Sequence, residues 1–106
     1  MRGNIAQMMQ QAQRVQDNLK RVESELAELE VTGQSGGGVV SITLTCKMET
    51  RRVHIDPSVL VDAEMLEDLV AAAFNDAVAK ANAESARRMS AATAGMQLPP
   101  GMKLPF

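Results

Sequence analysis

Few side chains in this sequence could do covalent chemistry. There is one cysteine, Cys46, and one histidine, His54. A reactive thiol needs exposure and a nearby base. Cys46 instead continues the apolar alternation Val40, Ile42, Leu44, which predicts a buried strand thiol. His54 falls on the polar side of a second alternating stretch, an exposed position with no second histidine to pair with. One cysteine forms no internal disulfide, and no Cys/His cluster with zinc spacing is present. Paired carboxylates can serve as general acid and base. Here Asp62, Glu64, Glu67 and Asp68 read as the capped, solvated start of a helix. A glycine-rich loop can cradle phosphate, but Gly33–Gly38 is followed by Val39-Val40, not by the Lys-Ser/Thr of a P-loop. Residues 33–38 are therefore expected to be a hairpin turn or flexible loop. The sequence predicts no catalytic residue, no metal site, no cofactor and no small-molecule substrate, and a protein that is not an enzyme is expected.

What remains is charge. The net charge is −2 at neutral pH, and the pI is about 5.3. That balance alone disfavours nucleic acid as a partner. Its distribution does not. Arg2, Arg14, Lys20 and Arg21 face only Asp17 in the first 21 residues, and Lys80, Arg87, Arg88 and Lys103 face only Glu84 after residue 76. The acids Glu23, Glu25, Glu28 and Glu30, and the run from Asp56 to Asp76, fill much of the middle. The ends are basic, and the middle is mostly acidic.

The elements that must position these charges can be read from periodicity. Ile5, Met8, Ala12, Val15, Leu19, Val22, Leu26 and Leu29 recur at alternating spacings of three and four, a heptad seam. It predicts a helix over about residues 4–29, roughly 39 Å long at ~1.5 Å per residue. The seam calls for a partner helix. Glu23, Glu25 and Glu30 on its flanks would repel an identical helix in parallel register, which favours antiparallel packing or packing against another segment. Val40–Cys46 alternates apolar with Ser and Thr and predicts a strand with one buried face. Val53 and Ile55 alternate with Arg52 and His54 in a second strand, and Lys47–Thr50 join the two as a hairpin. Leu29–Thr32 adds a short strand before the glycines. Asp56-Pro57 ends the sheet, because proline lacks a donor. Asp62 is the expected N-cap of a helix running from about 62 to about 90, with Leu66, Leu69, Val70, Ala73, Phe74, Ala77, Val78 and Ala81 on one face. The apolar, Pro-rich residues 95–106 cannot form a regular helix. They are expected to be an extended tail, mobile or docked on a surface.

The chain has 106 residues, one domain's worth. Aromatic residues make up 2% of it: two Phe, no Tyr, no Trp. The core must come from Leu, Val, Ile, Ala and Met, which long helices and a subunit interface provide. No apolar run approaches the ~18 residues of a membrane span, and the N-terminus leads into a Gln-rich stretch, not a signal peptide. A cytoplasmic protein with no membrane association is expected.

If the first helix runs into the sheet and the second runs out of it, Arg2 and Arg14 share a distal end with Arg87 and Arg88, and Lys80 sits partway along. Such a basic tip could bind duplex DNA through its phosphates without reading much sequence. The scarcity of aromatics argues against single strands, which are usually held by stacking.

Several stretches now carry a resemblance. Leu29-Glu30-Val31-Thr32-Gly33, Arg51–Pro57, Asp68–Ala77 and the ending Met96–Gly101, in this order and spacing, resemble the YbaB/EbfC family of bacterial nucleoid-associated proteins. The resemblance covers nearly the whole chain. It implies an α+β fold with a long N-terminal helix, a small antiparallel sheet of two to three strands and a long second helix. It also implies a tweezer-like homodimer in which the helices contact DNA. Residues 1–94 would form a single dimerising DNA-binding domain, with 95–106 as its tail. The implied partner is double-stranded DNA in the nucleoid, and the implied roles are altered DNA conformation, nucleoid organisation and gene regulation. Charge and helix position select Arg14, Lys20 and Arg21 on the first helix, and Lys80, Arg87 and Arg88 on the second, as phosphate contacts. Gln7, Gln10 and Gln11 are their hydrogen-bonding neighbours. The rival reading is a scaffold that holds a protein partner through its helices and through Leu98, Met102, Leu104 and Phe106.

Overall fold

The computed structural model describes residues 2–93. The tail expected over 95–106 lies outside the described residues. The order is α1 (Arg2–Glu28), β1 (Glu30–Ser35), β2 (Val40–Thr45), β3 (Thr50–Ile55), a single 3-10 turn (Pro57–Val59) and α2 (Ala63–Ala92). The three strands form one antiparallel sheet in the order β1-β2-β3. The α+β architecture is the expected one, with three strands.

Asp62 is the N-cap of α2, its Oδ1 accepting from the Met65 amide at 3.1 Å. α2 crosses the inner face of β1 and β2, where Val40, Ile42 and Leu44 pack with Val59, Ala73 and Ala77. It then continues past the sheet and along α1. There Met89 and Ala92 meet Val22, Leu26 and Cys46. Cys46 is buried, as its alternation predicts, although β2 ends one residue earlier and Cys46 opens the turn, its amide donating to Leu29 O at 2.9 Å.

Three expectations are corrected. Residues 33–38 are not all loop: β1 runs on through Gly33 to Ser35, and the turn narrows to Gly36–Val39. The reason is α2. Gly33 lies so close to it that a Cβ would stand 2.2 Å from Ala77 N and 2.3 Å from Ala73 O. Second, β3 buries its apolar face only in part, at Ile55. Val53 pairs with the core residue Ile42 but is 51% exposed, because α2 covers β1 and β2 and leaves β3 beyond its edge. Third, Phe74, counted on the buried face of α2, is 43% exposed. It lies about 100° around the helix from Ala73, on the flank turned away from Asp76 and Lys80.

The heptad seam is half used. Val15, Val22 and Leu26 are buried, while Ile5, Met8 and Ala12 are exposed. α2 ends against Val15, and the first turns of α1 project past it. The radius of gyration is 19.8 Å, against about 13 Å for a compact chain of this size.

Candidate nucleic-acid interface

Glu23, Glu25 and Glu28 sit at the C-terminal end of α1, where the helix dipole is already negative and the last turn holds no basic residue, and Glu30 opens β1 just beyond. Tertiary structure brings the cations. Lys47 reaches Glu23 at 3.4 Å, and Arg51 reaches Glu28 at 3.7 Å and the Ala27 carbonyl at 3.5 Å. Arg88 reaches Glu25 at 4.0 Å. These basic residues neutralise the base of α1.

Arg87 and Arg88 are also tied to one carboxylate on their own helix. Arg88 Nε donates to Glu84 Oε1 at 3.1 Å, and Arg87 Nε donates to Glu84 Oε2 at 3.3 Å. The two guanidinium groups hold the Glu84 carboxyl below its ordinary range. The common basic tip is therefore not assembled as expected. Arg88 stands level with Glu25, and Arg14 lies about 16 Å further along α1 at ~1.5 Å per residue.

Lys80 is committed elsewhere. Its Nζ donates to Thr32 O at 3.1 Å and pairs with Asp76 at 2.9 Å, while Asp76 Oδ2 accepts from Gln34 N at 3.0 Å. β1 is an edge strand, and unpaired edge groups invite another strand. Asp76 and Lys80 occupy two of them, the Gln34 N–H and the Thr32 carbonyl. The Gln34 amide, with Lys80 second, holds Asp76 below the ordinary carboxylate range.

α1 offers the freer surface. Seven-residue spacing brings Gln7, Arg14 and Arg21 to nearly one angle on the helix, with Gln10, Gln11 and Asn18 beside them. Gln7, Gln10, Gln11, Arg14 and Asn18 line a groove that closes against Val15 and Ala92. Arg21 pairs loosely with Glu25 at 3.8 Å. Among the described residues Arg14 and Lys20 make no ion pair. Lys20 is exposed on the side of α1 away from α2. Asn18 escaped the sequence reading, although its place four residues after Arg14 was the available signal. His54 and Arg52 are exposed on the outer face of the sheet, opposite Ser41 and Thr43. Amides and guanidinium groups along one helix flank are donors for phosphate oxygens and base edges.

A nucleoid-associated protein of Xanthomonas campestris pv. campestris (strain B100) is 70% identical over 106 residues, covering all of both chains. One from Xylella fastidiosa (strain 9a5c) is 64% identical, over all of this chain and 99% of its own. The crystal structure of an uncharacterized protein from Helicobacter pylori shares the fold. Its TM-score is 0.66 at 23% identity, over 77% of this chain and 88% of that one. Residues 1–96 match the YbaB/EbfC DNA-binding family, a family of DNA-binding proteins and not of enzymes, and the chain belongs to it.

Proposed function

We propose that the protein binds duplex DNA as a homodimer with little sequence specificity. In doing so it alters DNA conformation and contributes to nucleoid organisation and gene expression. The observation that carries this reading is the flank Gln7-Arg14-Arg21 on the projecting part of α1, where Arg14 lines an open groove among amides. Arg14, Lys20 and Arg21 make the first phosphate contacts. Arg87 and Arg88 join when DNA phosphate competes with Glu84. Lys80 keeps its place on the β1 edge. Phe74, the one aromatic among the described residues, lies in an apolar patch and not on this flank, which favours a duplex over a stacked single strand.

Dimerisation draws on the side that α2 leaves open. Val53 and Phe74 are exposed there, beside a groove lined by Leu66, Glu67, Val70 and Ala71. An elongated chain with an uncovered apolar sheet edge gains buried area from a second copy. The relatives' names place them with the nucleoid, and the same location is proposed for this chain.

The test is fluorescence anisotropy of a labelled duplex across a salt series. Binding that weakens linearly in log–log form supports a phosphate clamp, and the slope counts contacts. No binding at low salt transfers the function to a protein scaffold.

A further inference from the structure

The projecting part of α1 has two unlike sides. The flank proposed for DNA carries Gln7, Gln10 and Arg14. About half a turn away, Ile5, Met8 and Met9 are 61%, 67% and 68% exposed, and Ala12 beside them is exposed too. Ile5, Met8 and Ala12 continue the seam that Val15, Val22 and Leu26 bury against α2. From Asn4 to Gln13 there is not one charged residue. Exposed helix faces normally carry charge, as the C-terminal half of α1 does. An uncharged, heptad-phased face can meet its own copy without repulsion, whereas the Glu-flanked half cannot.

We propose that this face, centred on Ile5, Met8 and Ala12, docks against the same face of a second copy of the chain when neighbouring copies occupy one DNA duplex. The pairing joins adjacent bound units and makes binding cooperative. The inference rests on the DNA reading above but concerns the opposite side of α1. Size sets the regime. Ten helical residues span ~15 Å of a helix ~10 Å wide, roughly 150 Å² of face, far short of the ~800 Å² per partner of a stable interface. The contact is therefore weak between free molecules and forms when a shared duplex raises the effective concentration. The chain's own residues 95–106 are the competing occupant.

The experiment compares the native chain with Ile5→Gln/Met8→Gln, which removes apolar surface and leaves the charge unchanged. Both are titrated onto a short labelled duplex that admits one binding unit and onto a long duplex that admits several. Native protein is expected to bind the long duplex cooperatively, with about fivefold or greater tightening per copy. The variant is expected to match native protein on the short duplex and to lose the cooperativity on the long one. Non-cooperative native binding to the long duplex, with short-duplex binding intact, overturns the proposal and leaves the DNA reading standing. The proposal is equally overturned if the variant weakens to the same extent on both duplexes, or if cooperativity appears only after deletion of 95–106. Absence of native binding to either duplex sinks the DNA reading and this inference with it.

Discussion

Gly33 and Ala77 meet backbone to backbone. A Cβ built on Gly33 would lie 2.2 Å from the Ala77 nitrogen and 2.7 Å from its Cα. Both partners are main chain, so neither can rotate out of the way. This contact sets the distance between the sheet and α2 and, through α2, the line along which its last turns reach α1.

Gly33→Ala is therefore expected to destabilise the fold by about 3 kcal/mol, at the upper end of ordinary overpacking. A urea titration followed by circular dichroism measures it. A midpoint unchanged from the native chain would show that the sheet and α2 can separate freely. Ala77→Gly, which leaves the close approach intact, should cost about 1 kcal/mol from helix propensity.

Lys80 belongs to the fold more than to the DNA flank. Lys80→Ala is expected to lower the melting temperature, by exposing the β1 edge, while leaving duplex affinity nearly unchanged. A large loss of affinity with an unchanged melting temperature would return Lys80 to the interface.

Arg14 behaves in the opposite way. Arg14→Ala is expected to leave the melting curve in place and to reduce the log–log salt slope of DNA binding by about one contact per subunit. An unaltered slope would remove Arg14 from the site.

Glu84 controls whether Arg87 and Arg88 are available. Its folded pKa is lowered by hydrogen bonds from Arg87 and then Arg88. Its contribution to stability is therefore complete above the ordinary carboxylate value and is lost as pH falls through the lowered one. At neutral pH the carboxylate stays charged and keeps both arginines engaged. Glu84→Gln should free them, tighten duplex binding and steepen its salt dependence. Arg87→Ala with Arg88→Ala should weaken binding without changing the oligomeric state, checked by sedimentation. If both variants bind like the native chain, these arginines only stabilise α2 and the base of α1.

The Cys46 thiol is pushed up from its ordinary value by burial first and by the Glu84 charge second. It is expected to resist a thiol-specific chromophoric reagent at neutral pH until the protein unfolds. Labelling of the folded protein at the rate of a free thiol would show that the α1–α2 seam opens.

The local elements were legible in the sequence because their signals are local. Heptad spacing marked α1, alternation marked β2, Asp62 marked the start of α2, and the glycine run marked a turn. The function class was legible as well, through the ordered set of stretches shared with the family. The sequence also supplied every basic residue, but not its use. Whether an arginine is free for phosphate depends on which carboxylates the fold brings within a few ångströms. Glu25 and Arg88 are distant in sequence and adjacent in space. Likewise, Lys80 is a surface helix charge until the β1 edge arrives beneath it. Apolar periodicity marked a seam along all of α1, yet only packing decided where α2 stops covering it. Local spacing determines which element forms and which face is apolar. Only tertiary structure assigns each charge a partner and each apolar face a cover, because both depend on contacts between residues far apart in the chain.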